Sequence, residues 1–206
     1  MKKILISLLF CGLSSIAINA QGKGNIEFSL NAGFNSSTVT NEDGRFNYHS
    51  GFNVGIGADF YFNERWSIKA KAIYDRKGFD DVILSNLDTG LVFSTNFEMD
   101  YITVPVMANW HFGRTKNWYL NFGPYVGFLM SAKESRYGTD VKDGLNTTDA
   151  GLALGIGVKI PVSDKLKIFI EYDGQSGFSD IFKSDYDYNT YISRSALNVG
   201  INFLLK

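Results

Sequence analysis

Residues able to carry out catalysis are few in this sequence. Its two histidines are His49 and His111, and its single cysteine, Cys11, lies in an apolar run near the start of the chain. Acyl hydrolysis needs a serine and a histidine within hydrogen-bond reach, and the adjacency of His49 and Ser50 does not predict that geometry. The sequence also lacks the spacing of a metal-ligand cluster, a phosphate-binding loop or a nucleophile elbow. We therefore expect no enzyme and no cofactor, with a lipid-acting envelope enzyme as an alternative.

Charged side chains recur at alternate positions of long apolar runs. They are Asp59, Lys69, Lys71, Asp75, Lys159, Glu171 and Asp173. Successive side chains of a β-strand point to opposite faces of the sheet, so these residues share one face and apolar residues the other. Inside a closed barrel they would form either a salt-bridged plug, because buried charges must be paired, or a narrow polar conduit. An eight-stranded interior is just filled by side chains, which favours the plug.

The longest alternating runs lie within residues 100–130, on both sides of a polar turn at 113–117. Each run spans about 11 to 13 residues. This exceeds the ~5–6 residues of a typical globular strand and suffices for the ~9–11 residues of a tilted membrane-spanning strand. Six further runs complete eight strands, at 26–34, 51–62, 66–77, 149–161, 166–174 and 196–205.

The connections between these runs alternate in length. Long ones cover 35–50, 78–96, 133–148 and about 175–193, and short ones cover 63–65, 113–117 and 163–165. This order predicts an all-β fold, an eight-stranded antiparallel up-and-down transmembrane β-barrel with four long external loops and three short periplasmic turns. A soluble periplasmic barrel, with its apolar face turned inward around a ligand, is the alternative fold.

Aromatic residues near the short turns favour the membrane barrel. Trp66, Trp110, Phe112 and Trp118 lie on the apolar face within a few residues of these turns. Amphipathic rings at one height are typical of a membrane–water interface. The opposite face is rich in glycine, which leaves room for charged side chains inside a narrow barrel.

The first 20 residues have the pattern of a secretory signal peptide. Lys2 and Lys3 precede an apolar segment, and Ala20 offers a small residue before the cut. Residues 21–206 would then form one barrel domain without cysteine, and hence without disulfides. Removal of the two lysines leaves 18 basic and 21 acidic residues, a net charge of −3. That charge argues against a nucleic-acid partner.

Two prolines interrupt the alternating runs. Pro105 and Pro124 lie inside predicted strands, where each removes a ladder hydrogen bond. Pairing across the 113–117 turn places Pro105 opposite Tyr125 and Pro124 opposite Val106. We therefore expect a bulge or a locally opened ladder, with both gaps at nearly one level of one hairpin.

The chain resembles the small outer-membrane β-barrel proteins of Bacteroidetes that carry a PorT-type barrel domain. The resemblance rests on the signal followed by Gln21, on Gly51–Phe62 leading into Trp66, and on the segments DYITVP at 100–105, GPYVG at 123–127 and ALNVGI at 196–201. It covers essentially the whole mature chain. It implies an eight-stranded outer-membrane barrel; most members have no assigned activity, and one branch is associated with protein secretion.

The fourth long connection contains candidate recognition residues. Asp185, Tyr186, Asp187 and Tyr188 combine carboxylates with tyrosine, an amphipathic contact residue with few rotatable bonds. A surface-recognition role, a loose Ca²⁺ site and an ordinary solvated loop are the alternatives. We expect a non-enzymatic, monomeric protein of the cell outer membrane, in contact with outer-membrane lipid and, through its loops, with an extracellular or envelope protein partner. A small pore for solutes or ions is the main alternative.

Overall fold

The computed structural model describes residues 24–42, 44–85, 90, 92–183 and 189–205. The predicted signal peptide, residues 1–20, and the loop residues Asp185 to Tyr188 lie outside the described part of the chain. The strands are β1 (Ile26–Asn41), β2 (Gly44–Arg45), β3 (Asn47–Tyr61), β4 (Trp66–Ser85), β5 (Val92–Phe112), β6 (Trp118–Glu134), β7 (Thr148–Pro161), β8 (Leu166–Gly177) and β9 (Tyr191–Leu205).

Eight of these strands form a closed antiparallel ring. β2 is a two-residue strand paired with the end of β1, and β1 and β3 to β9 pair in sequence order. The ring closes where β1 pairs with β9, from Ile26 opposite Leu205 to Thr40 opposite Tyr191. Closure leaves no exposed strand edge along the ring, and it confirms the predicted eight-stranded up-and-down barrel.

The apolar face of the ring points outward. Leu30, Ile56, Leu154 and Val199 are each between 54 and 62% exposed. Polar residues on the other face, such as Asn31 and Asn198, are buried. This arrangement contradicts the alternative of a soluble barrel with an apolar interior. An outer apolar band is the surface that a bilayer covers.

Helical structure is almost absent from the described residues. One 3₁₀ turn, Lys142–Gly144, lies in the connection between β6 and β7. Within the part of the chain that the structure covers, no helix has the length and apolar character required to cross a membrane.

The strand ends opposite the short turns, here called the external ends, run further in several strands than the sequence pattern predicted. β1 and β3 occupy most of the predicted loop at 35–50, and β4 and β5 occupy most of that at 78–96. Two predicted loops are thus elongated hairpins. Their period-2 pattern is weak because polar and apolar residues occur on both faces of the sheet where it extends past the apolar band. Among the described residues, the connection at 135–147 and the segments 178–183 and 189–190 are largely irregular.

Pro124 opens the ladder between β5 and β6. Pro105 lies opposite Tyr125 as predicted, but the pairs between 106–107 and 123–124 are missing from the ladder. The register is the same on both sides of this gap. The opened ladder is therefore confirmed, and no bulge is needed at Pro124.

Pro105 opens a different ladder. The pairing of β5 with β4 lacks the pairs between 71–72 and 104–105, although it is regular on both sides. The expectation that both gaps lie in one hairpin is therefore wrong. The physical reason is that a strand in a ring has two neighbours, and the nitrogen of Pro105 belongs to the ladder with β4 whereas that of Pro124 belongs to the ladder with β5. The register shift between β5 and β6 lies elsewhere, at Asp100 and Tyr101.

Glycines inside the ring allow large side chains to cross it. A Cβ atom at Gly200 would lie 2.5 Å from Cζ of Phe169 and 2.4 Å from the carbonyl oxygen of Leu30. At Gly174, on the outward face of the neighbouring strand, the nearest heavy atom would be 3.8 Å away. Gly200 is thus required because Phe169 and the backbone of β1 pack against it, whereas Gly174 has room for a side chain.

We predict that Gly200→Ala destabilises the barrel and that Gly174→Ala does not. Overpacking of a tight interior costs about 1–3 kcal/mol, since Phe169 must move or the strands must separate. The midpoint of denaturant unfolding in lipid vesicles measures the difference. Equal midpoints for the two variants would contradict the close packing at Gly200.

Candidate functional site

The ring encloses a network of buried ion pairs. Its nine contacts join six carboxylates (Glu27, Asp59, Asp75, Asp149, Glu171 and Asp173) to six cationic side chains (Lys69, Lys71, Lys77, Lys159, Lys167 and Arg194). The two signs are equal in number, so these residues together carry no net charge. Apart from Lys167, whose side chain is 28% exposed, every one of these side chains is at least 89% buried.

The end of the network near the short turns is centred on Lys159. Its Nζ lies 2.6 Å from Oε2 of Glu27 and 3.2 Å from Oδ2 of Asp59. Glu27 also pairs with Lys167 and accepts a hydrogen bond of 3.0 Å from the hydroxyl of Tyr61. β1 and β3 are thereby joined to β7 and β8 across the lumen.

The middle of the network is centred on Glu171. Lys71 approaches it at 2.8 Å and Lys69 at 3.4 Å, and Asn121 donates a hydrogen bond of 2.9 Å. Lys69 also lies 3.7 Å from Asp59, which connects this group to the first one. The ion pairs thus run without interruption from the turn end to the middle of the barrel.

Two further groups lie closer to the external end. Arg194 reaches Asp75 with Nε at 3.0 Å from Oδ2 and pairs with Asp173 through Nη1. Lys77 pairs with Asp149 at 3.4 Å. The hydroxyl of Tyr125 donates a hydrogen bond of 2.9 Å to Asp149.

Tyrosine rings fill the space between these groups. Tyr119 is fully buried, and Nζ of Lys69 lies 4.3 Å from the centre of its ring. Tyr125 is 2% exposed, and Nζ of Lys77 lies 5.2 Å from its ring centre. A cation over an aromatic face is attracted by the ring quadrupole, so the rings both occupy the lumen and stabilise its lysines.

All seven residues predicted for the interior charge network lie inside the ring, and each takes part in the ion pairs described above. The network has five further members that the predicted set did not include: Glu27, Lys77, Asp149, Lys167 and Arg194. Glu27 stands in the alternating pattern of the first strand and could have been found by the same reasoning. Arg194 lies in a segment predicted as loop, because the pattern of β9 before residue 196 carries small polar residues on the outward face.

Neither histidine forms a catalytic arrangement. His49 pairs with Asp80 at 2.7 Å, and Ser50 points to the opposite side of β3. His111 contacts Oγ of Ser67 at 3.4 Å, but the carboxylate of Asp59 contacts the serine and not the imidazole. A triad needs the acid on the imidazole. Ser67 and His111 are moreover buried within the ring, where a lipid substrate has no access.

No metal site is visible in the part of the chain that the structure describes: no group of three or more His, Cys, Asp or Glu side chains could hold a metal ion there.

The four predicted interface aromatics lie side by side on the outer surface. The centres of Trp66 and Trp110 are 6.2 Å apart, those of Trp110 and Phe112 5.2 Å, and those of Phe112 and Trp118 6.5 Å, each pair stacked. They form a continuous arc near the short turns of β4, β5 and β6. Amphipathic rings at one height are what a membrane interface selects.

Glu134 anchors the turn at the external end of β6. It accepts hydrogen bonds from the hydroxyl of Thr95 and from the backbone N–H groups of Arg136 at 2.6 Å and Tyr137 at 2.8 Å. Burial alone would raise the pKa of this carboxyl, but these donors hold the pKa below its ordinary value. The side chain therefore stays ionised and fixes the start of the connection to β7.

A closed eight-stranded ring with an apolar outer band and a charged, filled interior defines a small transmembrane β-barrel. A family model described as "Outer membrane protein beta-barrel domain" matches residues 19–183. The chain belongs to this family, and the protein is accordingly a small β-barrel of the bacterial outer membrane.

Solved structures of small outer-membrane proteins resemble this chain. Neisserial surface protein A, from Neisseria, has 15% identity and a TM-score of 0.52, covering 85% of this chain and 96% of that chain. The outer membrane protein OprG from Pseudomonas aeruginosa has 14% identity and a TM-score of 0.50, covering 91% and 99%. The attachment invasion locus protein of Yersinia pestis has 19% identity and a TM-score of 0.47, covering 88% and 99%. A search of curated proteins finds no match. At these identities the likeness concerns the fold.

We predict that Arg194→Met destabilises the barrel far more than Arg76→Met. Arg194 is buried between two carboxylates, and breaking a buried pair costs about 3–5 kcal/mol because a charge is left unpaired. The side chain of Arg76 is 35% exposed beside Asp100, and such pairs contribute about 0–1 kcal/mol. Denaturant unfolding in lipid vesicles compares the two. A loss of less than about 1 kcal/mol for Arg194→Met would show that the two carboxylates find other partners.

Proposed function

We propose that this protein is a non-enzymatic outer-membrane barrel with a plugged interior, and that its external loops serve interaction or envelope integrity. The observation that carries this proposal is the charge-balanced network, in which every cationic side chain holds a carboxylate from another strand. A conducting lumen needs room for water and exposed charges, whereas these side chains occupy the interior of the ring. The arrangement supports a plug over a conduit.

Continuity of the plug is the second support. The ion pairs around Lys159 and Glu171 are connected through Asp59 and Lys69, and Tyr119 lies over Lys69. An ion passing through the lumen would have to separate several of these pairs at once. Each separation carries the cost of an unpaired buried charge.

We further propose that the chain is a PorT-type barrel of Bacteroidetes with residues 1–20 as its export signal. The family match and the motifs at 100–105, 123–127 and 196–201 support this assignment. It predicts both termini and the three short turns in the periplasm, with four connections outside. The arc of Trp66, Trp110, Phe112 and Trp118 would then lie at the periplasmic interface.

Single-channel recording in a planar bilayer tests the plug. We expect no discrete conductance from the wild-type protein, and discrete events from Tyr119→Ala/Tyr125→Ala, because the two rings fill the lumen at different heights. Conductance of the double variant would also show that the protein inserts into the bilayer under the conditions used, so that silence of the wild-type protein is meaningful. Steady discrete conductance of the wild-type protein would overturn the plug and favour the small pore.

The external loops are where we place interaction. Binding residues concentrate on loops that a rigid scaffold positions, and ion pairs join the strands of this ring across its lumen at membrane level. We propose Asp185, Tyr186, Asp187 and Tyr188 as contact residues for an extracellular or envelope protein partner. The composition of this segment supports the proposal, since tyrosine contributes large contact area at a low entropic cost.

Orientation of the loops can be tested by cysteine labelling, because the single cysteine lies in the proposed signal peptide. We expect Asp185→Cys to react with a membrane-impermeant maleimide on intact cells. Asp164→Cys, in a short turn, should react only after the outer membrane is permeabilised. The reverse pattern, or equal labelling of both variants on intact cells, would contradict the proposed orientation.

A further inference from the structure

The type of side chain buried inside the barrel changes towards its external end. Beyond the Lys77–Asp149 pair, where Glu134 and Thr95 are also buried, most of the large buried side chains are apolar. They form one cluster of Val39, Phe79, Met99, Tyr101, Leu129, Ala132, Leu145, Ile181 and Ile192. This cluster, here called the external core, lies above the membrane-level network and is not part of the plug of charges.

A cavity of about 330 Å³ opens in the external core. Phe79 and Phe97 form one wall, with ring centres 5.0 Å apart and planes 16° from parallel, and Phe46 lies 5.6 Å from Phe79. The opposite wall comes from the two irregular connections, through Leu145 and Phe182. These two residues are held together by an isolated antiparallel bridge.

The polar groups beside the cavity are already satisfied within the protein. The side-chain amide of Asn146 donates to the carbonyl oxygens of Asp180 at 2.9 Å and Phe182 at 2.7 Å. The carbonyl oxygen of Gly144 accepts a hydrogen bond from the backbone of Lys183 at 3.1 Å. A bound molecule would find aromatic and aliphatic surface and few free hydrogen-bonding partners, so the site selects against charged and strongly polar ligands.

We propose that this cavity is a binding site for an uncharged, largely apolar small molecule of about the size of naphthalene. An apolar cavity of about 150 Å³ holds one benzene ring, and this cavity is about twice that volume. Ligand sites start at about 300 Å³ and are lined mostly by apolar and aromatic side chains. The stacked rings of Phe79 and Phe97 favour a flat, aromatic ligand. This inference goes beyond the proposed function and does not depend on whether the barrel conducts.

The methionines of the mature chain provide a direct test. Met99 lines the cavity, Met107 is buried lower in the ring at 4% exposure, and Met130 points outward at 55% exposure. With ¹³C-methyl methionine in lipid nanodiscs, naphthalene should shift the Met99 signal saturably and leave Met107 unchanged. Naphthalene dissolved in lipid should move Met130 in proportion to its concentration, without saturation. A Met99 shift that does not saturate, or no shift at all, would overturn the proposal.

A matched pair of substitutions locates the ligand. Val82 lines the cavity, whereas Val92 on the partner strand is 68% exposed. Val82→Phe fills the space and should weaken naphthalene binding at least tenfold, whereas Val92→Phe should leave the affinity within twofold of the wild type. Heat-modifiable gel mobility shows whether each variant is folded. If Val82→Phe does not fold, Val141→Phe, on the opposite wall, replaces it, and unchanged affinity in a folded filled variant would place the ligand elsewhere.

Discussion

Charge pairing inside a narrow ring is the constraint on which this barrel depends. Eight strands leave space for side chains and little else, so a buried lysine or carboxylate can be neutralised only by another side chain of the ring. The chain meets this requirement with six cations and six carboxylates drawn from β1, β3, β4, β7, β8 and β9. Seven of the nine contacts join strands that share no ladder, so these ion pairs also fix the distance between strands across the lumen; the exceptions are Lys69–Asp59 and Arg194–Asp173.

The alternating pattern predicted part of the set of residues that face the lumen, but it did not predict which of them meet. Period 2 places Lys71 and Glu171 on one face of their strands, but their contact at 2.8 Å depends on the curvature of the closed ring. Arg194 was missed for a different reason. Where the sheet rises past the apolar band, its outward face turns polar, and the alternation that marks a strand disappears although the ladder continues.

The same effect explains the external core. Phe79 and Met99 were assigned by sequence to a long loop or its margin, yet they lie on the inward face of extended strands. Where the outer surface of the sheet is exposed to water, apolar side chains avoid water by pointing to the inner face. The barrel therefore changes along its length: it is apolar outside and charged inside at membrane level, and an apolar cluster occupies its interior above that level.

The two prolines show how the network and the ladders support each other. Pro105 and Pro124 each open a ladder of β5, one on either side of it, and each lost backbone hydrogen bond removes about 0.5–1.5 kcal/mol. The first gap lies at Lys71, whose ammonium group holds Glu171 on the far side of the lumen. An ion pair across the ring resists the outward movement of β4 at the level where its ladder with β5 is interrupted. The ion pair between Lys71 and Glu171 therefore stabilises the position of β4 where the backbone ladder between β4 and β5 is interrupted.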